Sequence, residues 1–137
     1  MAGYSGTPLL KKLGIKEGAF VLLVSPPADF LATLGPLPAN TEIVSVRDRE
    51  KLDVVLLFVF CQKKLNQEFA RLAARLKSAG GFWVCWPKKA SGVETDLTEN
   101  VIREVGLAAG LVDNKVCAVD ETWSGLRFVI RLEDRKK

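Results

Sequence analysis

The stretch FWVCWPKKASGVETDLTEN, residues 82–100, decides the architecture of this chain. Its opening, Phe82-Trp83-Val84-Cys85-Trp86, is bulky at odd and even positions alike, as in a strand covered on both faces. Pro87 ends that strand, because proline cannot donate to a ladder. A basic loop of small residues follows. Asp96, with Glu99 three residues later, then reads as an acidic capping box opening a helix over 97–109. In an open α/β sheet, loops leaving the carboxyl ends of the strands form the ligand crevice. This segment therefore joins the expected core to the expected functional edge.

Working outward, Gly80-Gly81 reads as the stop of a helix over 65–79, with Leu65, Phe69, Leu72, Ala73 and Leu76 on one face. Burying that face contributes on the order of 8 kcal/mol gross, before the entropy of ordering is subtracted. Residues 54–60 are apolar β-formers without polar alternation, the pattern of a central parallel strand. Nearer the start, Thr7-Pro8 reads as N-cap and first helical proline of a helix over 9–13, closed by Gly14. An apolar strand over 19–24 breaks at Ser25-Pro26-Pro27, and a helix of one or two turns reaches Leu34. Residues 42–46 form a second strand, and 47–51 are a charged connection too short for a crossover helix.

Downstream, the helix over 97–109 presents Leu97, Val101, Val105 and Ala108 and stops at Gly110. Strands over 112–119 and 125–132 flank a polar loop. This order predicts an α/β fold: a mainly parallel open sheet of about six strands, helices on both faces and a C-terminal antiparallel pair. One domain is expected over 1–137, with an N-terminal helix at 8–14, an α/β core at 19–132 and a charged tail at 133–137.

Composition narrows the function classes. Twenty basic and sixteen acidic side chains leave a net charge of +4, interleaved rather than gathered into the dense stripe of a dedicated nucleic-acid binder. The longest apolar run, residues 54–61, is too short to span a membrane. The first six residues lack the charged and apolar regions of a signal peptide, so a cytoplasmic location is expected. Cys61, Cys85 and Cys117 have no metal-ligand spacing and read as buried reduced thiols. The chain has no histidine, which removes the commonest general base and the commonest zinc ligand.

LGIKEGAFVLLV near the front and GGFWVCWP in the second half resemble a shortened class I methyltransferase-type Rossmann fold, with about one βα unit missing from the first half. The segments AGYSGTPLLKKLGIK, WPKKASGVETDLTE and VGLAAGLVDNKVCAVDETWSGLRFV are similar, end to end, to a small uncharacterised bacterial family classed as a domain of unknown function. That second resemblance implies no activity. The first implies a cofactor, S-adenosylmethionine, held on a glycine-rich turn after strand one, where the backbone must take positive φ and approach the ligand closely. Here Ser25-Pro26-Pro27 stands in that place, with two N–H donors removed. Asp48 or Glu50 would be the acid that holds the ribose.

The chemistry therefore points away from ordinary cofactor use, and no cofactor, metal or catalytic residue is assigned. The proposed winding brings the loop after residue 86 and the loop before residue 125 to one rim. Lys88, Lys89, Ser91, Thr122, Trp123 and Ser124 are the candidate ligand-binding residues there, with Lys63 and Lys64 nearby. Lysines and hydroxyls suit a phosphate or carboxylate, and Trp123 offers a stacking face. The plainer alternative makes the lysines solvated loop charges and packs Trp123 over the hairpin. Cys61 sits where a nucleophile would sit, yet nothing nearby is poised as its base, and a structural thiol is favoured. The leading reading is a non-catalytic methyltransferase-like domain binding a partner or a small anionic ligand. The alternative is an enzyme, such as a divergent methyltransferase, with an altered cofactor or substrate pocket at the same edge. A third is a nucleic-acid accessory protein.

Overall fold

The computed structural model describes residues 8–135. Helix α1 (Leu9–Leu13) leads into β1 (Phe20–Val24), followed by α2 (Phe30–Leu34), β2 (Glu42–Val44) and β3 (Leu52–Phe58). Then come α3 (Gln62–Ala73), β4 (Leu76–Pro87), α4 (Glu99–Ala108), β5 (Leu111–Ala118) and β6 (Trp123–Ile130). The sheet has the order β2-β1-β3-β4-β6-β5. The first four of these pair in parallel, and β6 is antiparallel to both β4 and β5. The expected six-stranded, mainly parallel sheet with a terminal antiparallel pair is the fold observed.

Strand periodicity divides the core into two layers. Val54, Leu56 and Phe58 of β3 face one side, where Leu13, Phe30 and Leu34 bring α1 and α2 onto Trp83 and Cys85. Val55 and Leu57 face the other, where Leu65, Phe69 and Leu72 of α3 and Ile102 of α4 pack on Phe82, Val84 and Phe128. Leu57 has no solvent exposure, so the unbroken apolar run marks a strand buried on both faces.

Three expectations are corrected. The helix expected over 65–79 ends at Ala73, and β4 already begins at Leu76, paired with Leu52 across a register shift. Gly80 and Gly81 lie inside that strand and do not stop a helix. A Cβ on Gly80 would stand 2.8 Å from the Leu52 carbonyl oxygen, and one on Gly81 would overlap the Arg127 guanidinium. Glycine here permits close approach, not termination.

The second correction concerns the cap of α4. Thr98 is the N-cap, its hydroxyl accepting from the Val101 N–H at 3.2 Å. Asp96 serves another helix, its Oδ1 accepting from the Gln62 N–H at the start of α3 at 2.8 Å. Glu99 pairs with Arg103, whose Nε also donates to Asp113 on β5 at 2.9 Å. Third, the inner face of α4 is Ile102 and Gly106, with Val101 and Val105 half-buried and Ala108 exposed. The Phe128 ring fills the space a side chain at 106 would need. The expected N-cap Thr7 lies outside the described residues.

Gly106 gives a test whose sign opposes propensity. Glycine to alanine in a helix ordinarily stabilises by about 1 kcal/mol. Here the added methyl meets an immobile ring, so Gly106→Ala should destabilise by roughly 1–3 kcal/mol in urea unfolding. Shrinking the ring, in Gly106→Ala with Phe128→Leu, should recover part of that loss. A stabilised Gly106→Ala protein would show that α4 does not seat on Phe128.

Candidate functional site

The carboxyl edge is built by four turns. After β1 the chain enters Ser25-Pro26-Pro27, and Ser25 takes φ 56°, the left-handed region that favours glycine. The turn thus keeps the backbone shape of a glycine turn while its two prolines carry no N–H. Phe30 N–H closes it on the Pro27 carbonyl at 3.0 Å. After β2, residues 45–51 cross directly to β3. Asp48 Oδ2 accepts from the Ser45 N–H at 2.7 Å, which commits the nearer of the two candidate ribose acids to its own turn. Arg75 donates to the carbonyls of Ser45, Val46 and Glu50, and Lys51 Nζ to that of Ala74 at 3.1 Å.

After β3, Phe60 and Cys61 precede α3. Cys61 is exposed, not buried as expected, because it occupies the extended N-cap position of that helix. Cys85 is buried in the core and Cys117 half-buried. Burial pushes the Cys85 thiol well above its ordinary pKa, with Cys117 and Asp120 adding to the shift. Burial raises Cys117 likewise, against the pull of Lys12 and Lys115. Both thiols are held neutral.

The loop after β4 meets the β5–β6 hairpin. Lys88 N–H donates to the Thr122 carbonyl at 2.7 Å, and Pro87 and Trp86 pair with Trp123 and Ser124. Asp120 Oδ1 fastens the hairpin by accepting from the N–H groups of Thr122 and Trp123, each at 2.8 Å. So Lys88, Thr122, Trp123 and Ser124 come together as parts of one seam. Ser91 turns inward on its own loop: its hydroxyl donates to the Lys88 carbonyl at 2.7 Å and accepts from the Val93 N–H at 3.1 Å.

Trp123 is only 6% exposed. Its ring lies edge-on between Phe58 and Phe60, with centroids at 5.1 Å to each, and Phe58 continues to Phe30 at 4.9 Å. The aromatic face offered to solvent at this rim is therefore Phe60, 50% exposed. Phe60, expected inside the central strand, lies two residues beyond the end of β3, just before Cys61 and Gln62.

Beside this seam, on the α4 side, lies a cleft of about 520 Å³ lined by Trp86, Pro87, Leu97, Lys89, Glu94 and Glu99 among others. Of the six candidates only Lys89 lines it. Thr95, also in its wall, donates its hydroxyl to the Phe60 carbonyl at 2.6 Å, and with Asp96 it stitches the loop to the start of α3. Among the described residues no group of His, Cys, Asp or Glu is placed to hold a metal ion, and no helix is long and apolar enough to cross a membrane.

This geometry has relatives among solved structures. A SAM-dependent methyltransferase from Aquifex aeolicus is similar at TM-score 0.59 and 17% identity, over 90% of this chain and 88% of that one. The magnesium protoporphyrin IX methyltransferase of Synechocystis, solved with bound SAH, is similar at TM-score 0.58 and 11% identity, over 90% and 78%. Fibrillarin from Aeropyrum pernix, with natively bound S-adenosyl-L-methionine, is similar at TM-score 0.55 and 16% identity, over 93% and 70%. Neither a protein-family model nor a curated protein matches the sequence. The chain has a methyltransferase-like Rossmann fold, and it is the fold alone that these likenesses establish.

The fold family implies S-adenosylmethionine at the carboxyl edge of β1, and the residues there do not fit it. Two of the turn's donors are absent, and the Asp48 carboxylate is engaged by Ser45.

The cross-helix cap supplies a prediction. Asp96→Ala should cost about 1 kcal/mol and speed amide exchange at residues 62–65, leaving residues 99–102 unchanged. Faster exchange at the start of α4 instead would return Asp96 to its own helix.

Proposed function

We propose that this protein is a non-catalytic, methyltransferase-like domain whose role is binding. One observation carries the reading: the turn after β1 keeps a left-handed residue at Ser25 yet follows it with Pro26 and Pro27. A cofactor cradle needs backbone N–H groups aimed at the ligand, and proline supplies none. Rotamer changes cannot repair that loss, because it lies in the main chain. The ligand is a small anion or an acidic partner at the carboxyl edge, where Lys88 and Lys89 supply positive charge.

A second reading, an enzyme with an altered pocket at the same edge, is favoured by the 520 Å³ cleft beside Lys89. Its lining joins the apolar Trp86, Pro87, Val93 and Leu97 to polar side chains that could orient a small molecule. Calorimetric titration with S-adenosylmethionine separates the two. The binding domain should show no saturable heat below about 1 mM ligand. A dissociation constant in the low micromolar range, about 8 kcal/mol of binding free energy, would overturn it in favour of the enzyme.

A further inference from the structure

The opposite edge of the sheet holds a second cleft, of about 450 Å³, and its lining is of another kind. Lys11, Lys12, Lys16, Lys77, Lys115 and Arg127 line it with only two carboxylates, Glu17 and Asp53. That excess of positive charge equals the formal net charge of the whole chain, +4. The remaining basic and acidic residues of the sequence cancel in sum. Asp53 is already engaged, its Oδ2 accepting from the Phe20 N–H at 2.8 Å and from Lys77 Nζ at 3.1 Å.

Arg127 shows that the cleft is built. Its side chain lies across β4 at Gly81, where any Cβ would overlap the guanidinium. The bare backbone at Gly81 leaves room for this arginine. Among the described residues no carboxylate pairs with it; its one side-chain partner is the Asn114 Oδ1, 3.4 Å from Nη1. Burial, and after it the like charge of Arg135, lowers its pKa, and an arginine stays protonated at neutral pH nonetheless. A half-buried cation with no counter-charge is held at a cost that a bound anion would offset.

Part of the cluster has a local explanation. Lys11 and Lys12 end α1, where cations favour the helix dipole, and Lys115 Nζ donates to the Lys12 carbonyl at 3.2 Å. That accounts for neither Arg127, on β6, nor Lys16, in the connection between α1 and β1.

We propose that this amino-edge cleft is a binding site for a compact polyphosphate chain, contacted by Arg127, Lys16, Lys11 and Lys115. Several phosphates in a row place three or four negative charges within the span of one small cleft, and a planar guanidinium matches their oxygens in pairs. The lining contains no aromatic side chain on which a base would stack, and the cations surround a hollow rather than run along a face. Both features favour a phosphate chain over a nucleic-acid strand. The site goes beyond the binding role proposed above and does not depend on the state of the carboxyl edge.

Calorimetry on the full chain in about 50 mM salt, with sodium tripolyphosphate as the probe, tests this. Saturable binding in the micromolar range is expected, weakened at least about tenfold in Lys11→Ala/Lys16→Ala, whose exposed side chains leave folding intact. Arg127→Gln should weaken it further. Arg47→Ala/Arg49→Ala, which removes the same charge from exposed side chains outside both clefts, should change it by less than about twofold. ATP binding as tightly as tripolyphosphate supports recognition of the phosphate chain alone, and tighter ATP binding supports a nucleotide source. Absence of tripolyphosphate binding, an unchanged Lys11→Ala/Lys16→Ala protein, or equal loss in the lysine and arginine pairs overturns the site. So does a short single-stranded RNA binding more tightly than tripolyphosphate. The S-adenosylmethionine titration reads the other edge, so either result can fail alone.

Discussion

The buried indole of Trp83 is the constraint on which one whole side of the sheet depends. Its ring has no solvent exposure, and its Nε1–H must find a partner or lose about 1–3 kcal/mol. The partner is the Leu13 carbonyl at 3.0 Å, near the end of a five-residue helix too short to persist alone. One hydrogen bond across the core therefore fixes where α1 lies. The neighbouring strand yields as well: a Cβ on Gly125 would stand 3.0 Å from Trp83 Cε3. Beyond the end of α1 lies the cationic cleft, lined by Lys11, Lys12 and Arg127 among others. The place of the short helix and the glycine at 125 both follow from seating one large side chain.

What the sequence revealed and what it hid divide along the same line. The central strand was legible because Leu57 and its neighbours are apolar at every position, a pattern that only two-sided burial explains. The start of β4 was not, since Leu76 continues the helical stripe of Phe69 and Leu72 as well as it opens a strand. Gly80-Gly81 resembled a stop, and the distinction lies in what each missing Cβ would strike, Leu52 and Arg127, far away in sequence. Asp96 misled for a similar reason. Its spacing to Glu99 is that of a capping box, but the N–H it satisfies belongs to Gln62, in another helix.

The site was legible in outline. Winding alone brought the loop after β4 to the β5–β6 hairpin, and the Lys88–Thr122 hydrogen bond joins them. Which atoms face outward was not readable, because it turns on tertiary packing. Phe58 and Phe60 enclose Trp123, and the Ser91 hydroxyl is taken up by its own turn. The amino-edge cations had no signature at all. Lys16, Lys115 and Arg127 share no spacing, and only the folded sheet assembles them.

The turn after β1 can vary without disturbing the fold, because the two depend on different residues. Both core layers are anchored on β3 and β4, whereas Ser25 and Pro26 are exposed and make little of either layer. The stretch between β2 and β3 shows the same independence. Seven residues replace the usual crossover helix, and the Arg75 guanidinium holds them through three carbonyls. Its Nε is buried without a partner among the described residues, so even this clamp is imperfect. One arginine thus does locally what a packed helix does elsewhere, and the sheet order survives. Topology is set by the apolar strands and by a few long-range bonds to main-chain oxygens, which leaves the turns at both edges free to define the chemistry.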